Sequence, residues 1–219
     1  MRTRLNLLMV TASLVFVAAG GRAFGAGATV DKQSFKGSNA STSFSGSATI
    51  ACAGGGSGTV SAAGFLSGSQ SVTRTKGSPK TVNNGVFIEI DSYSNTCTGV
   101  NLGFLTGGIA NAFTAPNAHL NSAQIIGSTT VNDFSDPPNT LTVSLDVVFE
   151  GVGPVTAGRS TTVTKTKGPL TITITSSANA SRTADASGEI TINGVVLDTT
   201  FSVTTLNSNA NSTLTITKN

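Results

Sequence analysis

Apolar and polar residues alternate with a period of two along much of this chain, and this alternation constrains the fold more than any other feature. The clearest apolar series is Leu141, Val143, Leu145, Val147 and Phe149. Successive side chains of a β-strand point to opposite faces, so such a segment buries one face and leaves the other in water. No helical pattern of comparable strength is sustained. The chain is therefore expected to form antiparallel β-structure with one wet face.

Turn residues agree with this interpretation. Asn193-Gly194 separates two β-like segments, and Asn-Gly supplies the two positive φ angles that a type I′ hairpin requires. The expected fold class is all-β, an antiparallel β-sandwich or closed barrel of about twelve strands.

A short internal repeat indicates how the strands are organised. Val72–Gly77 recurs as Val163–Gly168, with five identities in six positions. We interpret this as the trace of a tandem duplication, with halves at 45–136 and 137–219 packed as one domain. Chance matching in a Thr- and Ser-rich chain is the alternative explanation. Residues 29–44 alternate little and are expected to form a flexible N-terminal arm or an edge strand.

The N-terminus has the features of a secretory signal peptide. Arg2 and Arg4 precede an uncharged, mainly apolar run, and Ala26-Gly27-Ala28 offers small residues for cleavage. The run is shorter than the ~20 residues that a membrane-spanning helix needs. We therefore predict a signal peptide at 1–28 and an exported product that is periplasmic, cell-surface or extracellular. No transmembrane segment is expected after cleavage.

The two cysteines, Cys52 and Cys97, are expected to form a disulfide, because an exported chain matures in an oxidising compartment. Two free thiols are the alternative. Two cysteines and a single histidine are too few for a tetrahedral zinc site.

Only 11% of the residues are charged, and the net charge is +3. Three of the 13 Lys and Arg lie within residues 1–22, whereas all ten Asp and Glu follow them, so the processed chain would be neutral. A neutral chain gives no electrostatic reason to expect a nucleic-acid partner or an anionic membrane surface.

The chain lacks the residues of common hydrolytic sites. Its one histidine, His119, lies in a loop-like segment, and no Gly-x-Ser-x-Gly motif is present. Glu89 and Asp91 are the best carboxylate pair, and a secreted hydrolase that uses them is one alternative. Asp133 and Asp136 are weak Ca²⁺ candidates, although turn chemistry explains them equally well. We predict no enzyme activity, no cofactor and no other metal site.

Threonines recur at every second position of several expected strands, which places their side chains on the wet face. Thr is both β-branched and polar, so it suits the outward positions of a charge-poor sheet. The alternative is a binding face for a polysaccharide or an ice-like surface. Its candidate residues are Thr171, Thr173, Thr175, Thr213, Thr215 and Thr217. We expect a non-catalytic exported protein that acts as a structural, adhesive or matrix component at or outside the cell envelope, with a cell-surface, matrix or glycan partner.

Overall fold

The computed structural model describes residues 28–166 and 170–218, which contain eleven β-strands and no helix. The strands are β1 (Ala28–Ala51), β2 (Ser57–Thr75), β3 (Thr81–Asn95), β4 (Val100–Ala110), β5 (Phe113–Thr114), β6 (Ser122–Asn132), β7 (Thr140–Gly151), β8 (Thr156–Lys165), β9 (Thr171–Ile192), β10 (Val195–Phe201) and β11 (Thr204–Lys218). The predicted signal peptide lies outside the described residues, apart from its last position.

All pairings are antiparallel, and the sheet returns on itself. The order runs from β1 through β2, β3, β4, β6 and β7 to β9, which pairs back towards β1 through β10 and β11. Because either β10 or β11 alone connects β9 to β1, a closed ring contains eight strands. The shortest pairing in the ring joins β4 to β6 through the single residue pair Thr106–Asn132. The all-β prediction is confirmed, and the ring is consistent with the sandwich or barrel that was expected.

The core fills one end of this ring. Every apolar residue of the β7 alternation, from Leu141 to Phe149, is buried there, as the period-two pattern predicted. The hairpin at Asn193-Gly194 is also confirmed, since both residues have positive φ and join β9 to β10. The core-containing part is here called the body and comprises residues 40–67, 86–155 and 184–206.

Several strands continue far beyond the body as an open sheet, here called the extension. It comprises residues 28–39, 68–85, 156–166, 170–183 and 207–218. Its strand order is β3, β2, β1, β11, β9 and β8. One surface continues the core-lining side of the ring, on which Ala40, Leu66 and Leu206 are buried. We call this surface the inner face and the opposite one the outer face.

The prediction of a flexible arm at 29–44 is wrong. These residues belong to β1, which pairs with β2 on one side and with β11 and then β10 on the other. The segment is therefore a central strand rather than an arm or an edge. Its sequence alternates little because polar residues occupy most positions of both faces, with Val30 and Phe35 as the large apolar residues before Ala40.

Charge is divided sharply between the two parts. The described cations all lie in the extension: Lys32, Lys36, Arg74, Lys76, Lys80, Arg159, Lys165, Arg182 and Lys218. Nine of the ten acids lie in the body, whose residues include no Lys or Arg, and Asp31 is the one acid of the extension. Net neutrality therefore conceals a basic end and an acidic end.

The two copies of the internal repeat occupy different strands. Val72 lies near the end of β2 and Val163 near the end of β8, and both strands run towards the far end of the extension. Lys167 and Gly168 lie outside the described residues. The duplication at 45–136 and 137–219 stays a prediction.

A candidate binding face on the extension

Strand register brings the six predicted threonines together. The pairs Thr171–Thr217, Thr173–Thr215 and Thr175–Thr213 lie directly opposite one another on β9 and β11. Directly opposed residues of an antiparallel pair point to the same face. The six side chains therefore share the outer face, and β8 widens the array by placing Thr164 beside Thr173 and Thr162 beside Thr175.

Towards the body, amides and serines replace the threonines in the same register. Asn179 of β9 is opposite Asn209 of β11, which is opposite Gly37 of β1, and Gly37 in turn is opposite Ser71 of β2. The next row joins Ser181, Asn207, Asn39 and Ser69. Four neighbouring strands thus present a continuous uncharged polar surface.

These rows surround a groove of about 710 Å³, which lies on the outer face and reaches from Asn179 across β11, β1 and β2 to Asn83. Its volume falls in the range of small-molecule sites, ~300–1,000 Å³. We call it the amide groove. Its amide and hydroxyl groups both donate and accept hydrogen bonds.

Gly37 and Phe35 shape the centre of this groove. A Cβ on Gly37 would overlap the amide oxygen of Asn209 and would approach the Phe35 ring at 3.1 Å. The glycine therefore leaves the floor open where the two neighbouring side chains converge. The half-buried Phe35 supplies an aromatic wall beside the amide side chains.

The outer face of the extension is almost uncharged. Asp31 is its one charged residue among the described positions, because the cations of the strands are paired with inner-face residues, and Lys76 and Lys80 line hollows of the inner face. Hydroxyls instead contact one another across strands, as in the 2.7 Å hydrogen bond between Ser160 and Ser177. A neutral ligand would meet no unpaired charge here.

The predicted disulfide is confirmed and lies at the other end of the molecule. Cys52 follows β1, Cys97 lies in the turn between β3 and β4, and their Cα atoms are 5.3 Å apart. The bond ties the β1–β2 turn to the β3–β4 turn, so it supports the body rather than the groove. A disulfide fits a protein of an oxidising compartment.

The calcium candidates lie in the loop between β6 and β7. The Asp133 carboxylate accepts hydrogen bonds from the backbone and side chain of Ser135 and from both nitrogens of Asn139. These hydrogen bonds hold the pKa of Asp133 well below its usual range. Asp136 makes no such contact with Asp133 among the described hydrogen bonds. The Asp133 oxygens are thus already occupied by the turn.

The carboxylate pair Glu89 and Asp91 lies on the outside of the body, on β3. Partial desolvation raises the pKa of Glu89, and the hydrogen bond with Asp91 and its negative charge raise it further. The pair does not line the amide groove, and neither does His119, which lies in an exposed turn.

Within residues 28–166 and 170–218, no group of three or more His, Cys, Asp or Glu side chains is arranged to hold a metal ion. Among the same residues, no helix is long and apolar enough to cross a membrane.

The amide groove was not predicted from the sequence, although one pattern in the sequence pointed to it. Asn207, Asn209 and Asn211 recur at period two, which places all three on one face of a strand. Phe35 and Gly37 could not be assigned to this site, because their cross-strand neighbours on β11 are more than 160 residues away along the chain.

Comparisons with protein-family models, with curated proteins and with solved structures found no match to this chain. The amide groove and the threonine rows are therefore interpreted from their own chemistry.

Proposed function

We propose that this protein is a non-catalytic, exported adhesive or matrix component that holds a neutral polysaccharide on the outer face of its extension. The observation that carries the proposal is the amide groove, set within in-register rows of threonine, serine and asparagine. The six threonines predicted from the sequence form the part of this surface that lies farthest from the body.

The chemistry of the surface matches a hydroxyl-rich neutral polymer. Sugar hydroxyls donate and accept hydrogen bonds, as do the amides of Asn179 and Asn209 and the hydroxyls of the threonine rows. The Phe35 ring offers an apolar surface against which a sugar ring can pack. Since same-face residues repeat about every 6.8 Å along a strand and strands lie ~4.8 Å apart, the surface is periodic in two directions. A periodic surface suits a repeating polymer better than a single small molecule.

Catalysis has less support. Glu89 and Asp91 lie on the outside of the body, away from the groove. General acid–base chemistry on a polymer needs the reacting groups beside the bound chain. The proposed binding surface contains Asp31 as its one carboxylate, so it offers no pair of acids for glycoside hydrolysis.

The test is retention of the protein on insoluble cellulose and chitin, measured as depletion from solution over a range of protein concentrations. Phe35→Ala combined with Asn209→Ala should weaken retention about tenfold, because one packed ring face and one hydrogen bond together contribute ~1.4 kcal/mol or more. The matched control is Lys36→Ala with Ser212→Ala, which changes two inner-face residues of the same two strands, neither of which lines the groove.

The control should retain wild-type binding. The proposal is wrong if neither polysaccharide retains the protein, or if the two double variants lose binding equally. Circular dichroism of each variant checks that the sheet is intact.

A further inference from the structure

The inner face of the extension differs chemically from the outer face. All nine described cations lie on the inner-face side of the sheet. The cations within strands have inner-face residues as cross-strand neighbours, and Lys80 lines a hollow together with Lys36 and Arg74. Apart from Arg182 at the junction with the body, these cations are exposed. The extension is therefore a two-sided sheet, with a neutral outer face and a basic inner face.

Apolar residues occupy the far end of this basic face. Two cross-strand rows meet there: Val30, Ile216, Ile172 and Lys165 form one, and Lys32, Leu214, Ile174 and Val163 form the other. Each row consists of three apolar side chains and one lysine, and the lysines stand at opposite ends. We call the six apolar residues the tip patch.

The tip patch lies outside the apolar core of the described residues, and five of its six side chains are half-buried. Its residues belong neither to the core cluster nor to the apolar side chains that pack against that cluster. Val163 is 53% exposed, and the adjoining Leu170 is 39% exposed. Burying such a patch is favourable by roughly 25 cal/mol per Å², so the patch favours a partner with an apolar component.

Two cation-lined hollows lie on the inner face, and one of them adjoins the patch. One, of about 410 Å³, is lined by Val30, Leu214, Lys32, Arg74 and Lys76. The Lys76 ammonium donates a 2.8 Å hydrogen bond to the Val30 carbonyl oxygen, which fixes a charge at the rim. A second hollow, of about 200 Å³, is lined by Lys36, Arg74 and Lys80, together with Ser34 and Val72. Both hollows place positive charge beside an apolar surface.

A second copy of the chain does not fit this face. Two tip patches in contact would bring the lysines of both copies together, which like-charge repulsion opposes. The acidic body of another copy would match the charge but would set its carboxylates against the apolar patch. A soluble polyanion matches the lysines and leaves the patch in water.

We propose that the inner face of the extension docks onto a bilayer surface rich in anionic phospholipid. The phosphate headgroups lie against Lys32, Lys165 and the cation-lined hollows, and the tip patch enters the boundary between headgroups and acyl chains. This is the arrangement of interfacial segments, which combine basic residues with a shallowly inserted apolar face. The outer face then points away from the membrane with its groove free.

The experiment uses the absence of tryptophan from the chain. Leu214→Trp places a single tryptophan in the tip patch, and Thr215→Trp places one at the next residue, on the outer face. With vesicles of mixed phosphatidylglycerol and phosphatidylcholine, the emission of the Leu214→Trp protein should shift to shorter wavelength and that of the Thr215→Trp protein should not. Ile216→Trp replaces Leu214→Trp if the latter disturbs the sheet.

Vesicle co-sedimentation then tests the charges. Lys32→Gln with Arg74→Gln should weaken binding to the mixed vesicles about thirtyfold, because each basic residue near an anionic surface contributes about fivefold. The control, Gln33→Glu with Thr73→Glu, changes the net charge by the same amount on the outer face of the same strands, and it should retain most of the binding.

Each alternative has its own outcome, and each would overturn the proposal. Equal loss of binding in both double variants would mean that net charge alone acts. An equal blue shift of the Leu214→Trp protein with soluble polyphosphate and no lipid would indicate a polyanion partner. A salt-sensitive dimer in buffer alone, lost in the Lys32→Gln, Arg74→Gln variant, would indicate a second copy.

Since Phe35→Ala with Asn209→Ala leaves the inner face intact, that variant should bind vesicles normally. This proposal and the polysaccharide proposal can therefore fail separately.

Discussion

Two carboxylates on β3 show how neighbouring side chains set the properties of a single residue. Glu89 lies within hydrogen-bonding reach of Asp91, and partial desolvation, the hydrogen bond and the second charge all raise the pKa of Glu89. The folded state therefore holds this proton more tightly than the unfolded state does. The corresponding stability is present below the unfolded pKa, near 4.3, and is lost as the pH rises through the folded value.

We accordingly expect Glu89→Gln to raise the melting temperature slightly at neutral pH and to leave it unchanged below about pH 4, where Glu89 is protonated in both states. Thermal unfolding at the two pH values measures the difference. In an Asp91→Asn background the gain should shrink, because the neighbouring charge is gone. A large loss of stability in Glu89→Gln would instead mean that an unrecognised cation partners the pair.

The same variants test the hydrolase alternative. Neither carboxylate lines the amide groove, so Glu89→Gln combined with Asp91→Asn should retain polysaccharide binding. If the protein hydrolyses a glycoside and this double variant abolishes the activity, the non-catalytic proposal is wrong.

Individual residues of the candidate site could be predicted only where the pattern that identifies them lies within a single strand. The period-two threonines of β9 and β11 were found because each series lies within one segment. Their mutual pairing, and the position of Phe35 between Asn211 and Thr73, depend on long-range register. Register is only weakly specified by sequence in strands with polar residues on both faces, so the residues of these segments do not identify their cross-strand partners.

The success of prediction for an element depended on whether one of its faces is buried. β7 was recognised because Leu141 to Phe149 line the core. The first half of β1 lies in the open sheet and carries polar residues at most positions of both faces, so no period-two pattern marks it as a strand. β4 also lacks a clear period-two pattern, since Gly103, Gly107 and Gly108 supply no side chains to alternate. A Gly-rich strand is identified only by its partner, which here is β3.

The disulfide is expected to stabilise the body without contributing to either proposed binding face. Closing a loop with a sequence separation of 45 contributes about 2–4 kcal/mol to stability. Cys52→Ser combined with Cys97→Ser should lower the free energy of unfolding by that amount. Urea denaturation followed by the fluorescence of Tyr93, the one tyrosine and a buried core residue, measures the change.

At urea concentrations below its unfolding transition, this double variant should bind polysaccharide and vesicles as the wild type does. The reason is that the disulfide and the extension lie at opposite ends of the body. Reduction of the wild type provides the control and should reproduce the effect of the substitutions. Unchanged stability, or selective loss of vesicle binding, would contradict this division between body and extension.

At the scale of the whole molecule, the arrangement of charge follows from the topology and not from the composition. The sequence places cations and acids in alternating stretches, and over residues 29–219 the ten Lys and Arg balance the ten Asp and Glu. Folding collects the tip segments of β1, β2, β8, β9 and β11 into one sheet, which gathers their cations on one face. The expectation of no attraction to an anionic surface followed from the net charge, and that inference does not apply to a molecule whose charges are separated.

The separation is large compared with electrostatic screening. Lys32 and Ile174 belong to the same cross-strand row. Ile174 and Asp185 both lie on β9, roughly 35 Å apart at ~3.3 Å per residue. The Debye length is ~10 Å at 0.1 M salt. At moderate ionic strength the two ends should therefore act as independent charged surfaces.

This independence predicts retention on both cation and anion exchangers at neutral pH, although residues 29–219 carry no net charge. Lys32→Gln with Arg74→Gln should elute at lower salt from the cation exchanger and at unchanged salt from the anion exchanger. Asp146→Asn with Glu189→Gln, which neutralises a directly opposed acidic pair on β7 and β9, should do the reverse. Equal and opposite shifts of each variant on both columns would mean that net charge governs the interaction. In that case, the basic face would lose the independence on which membrane docking depends.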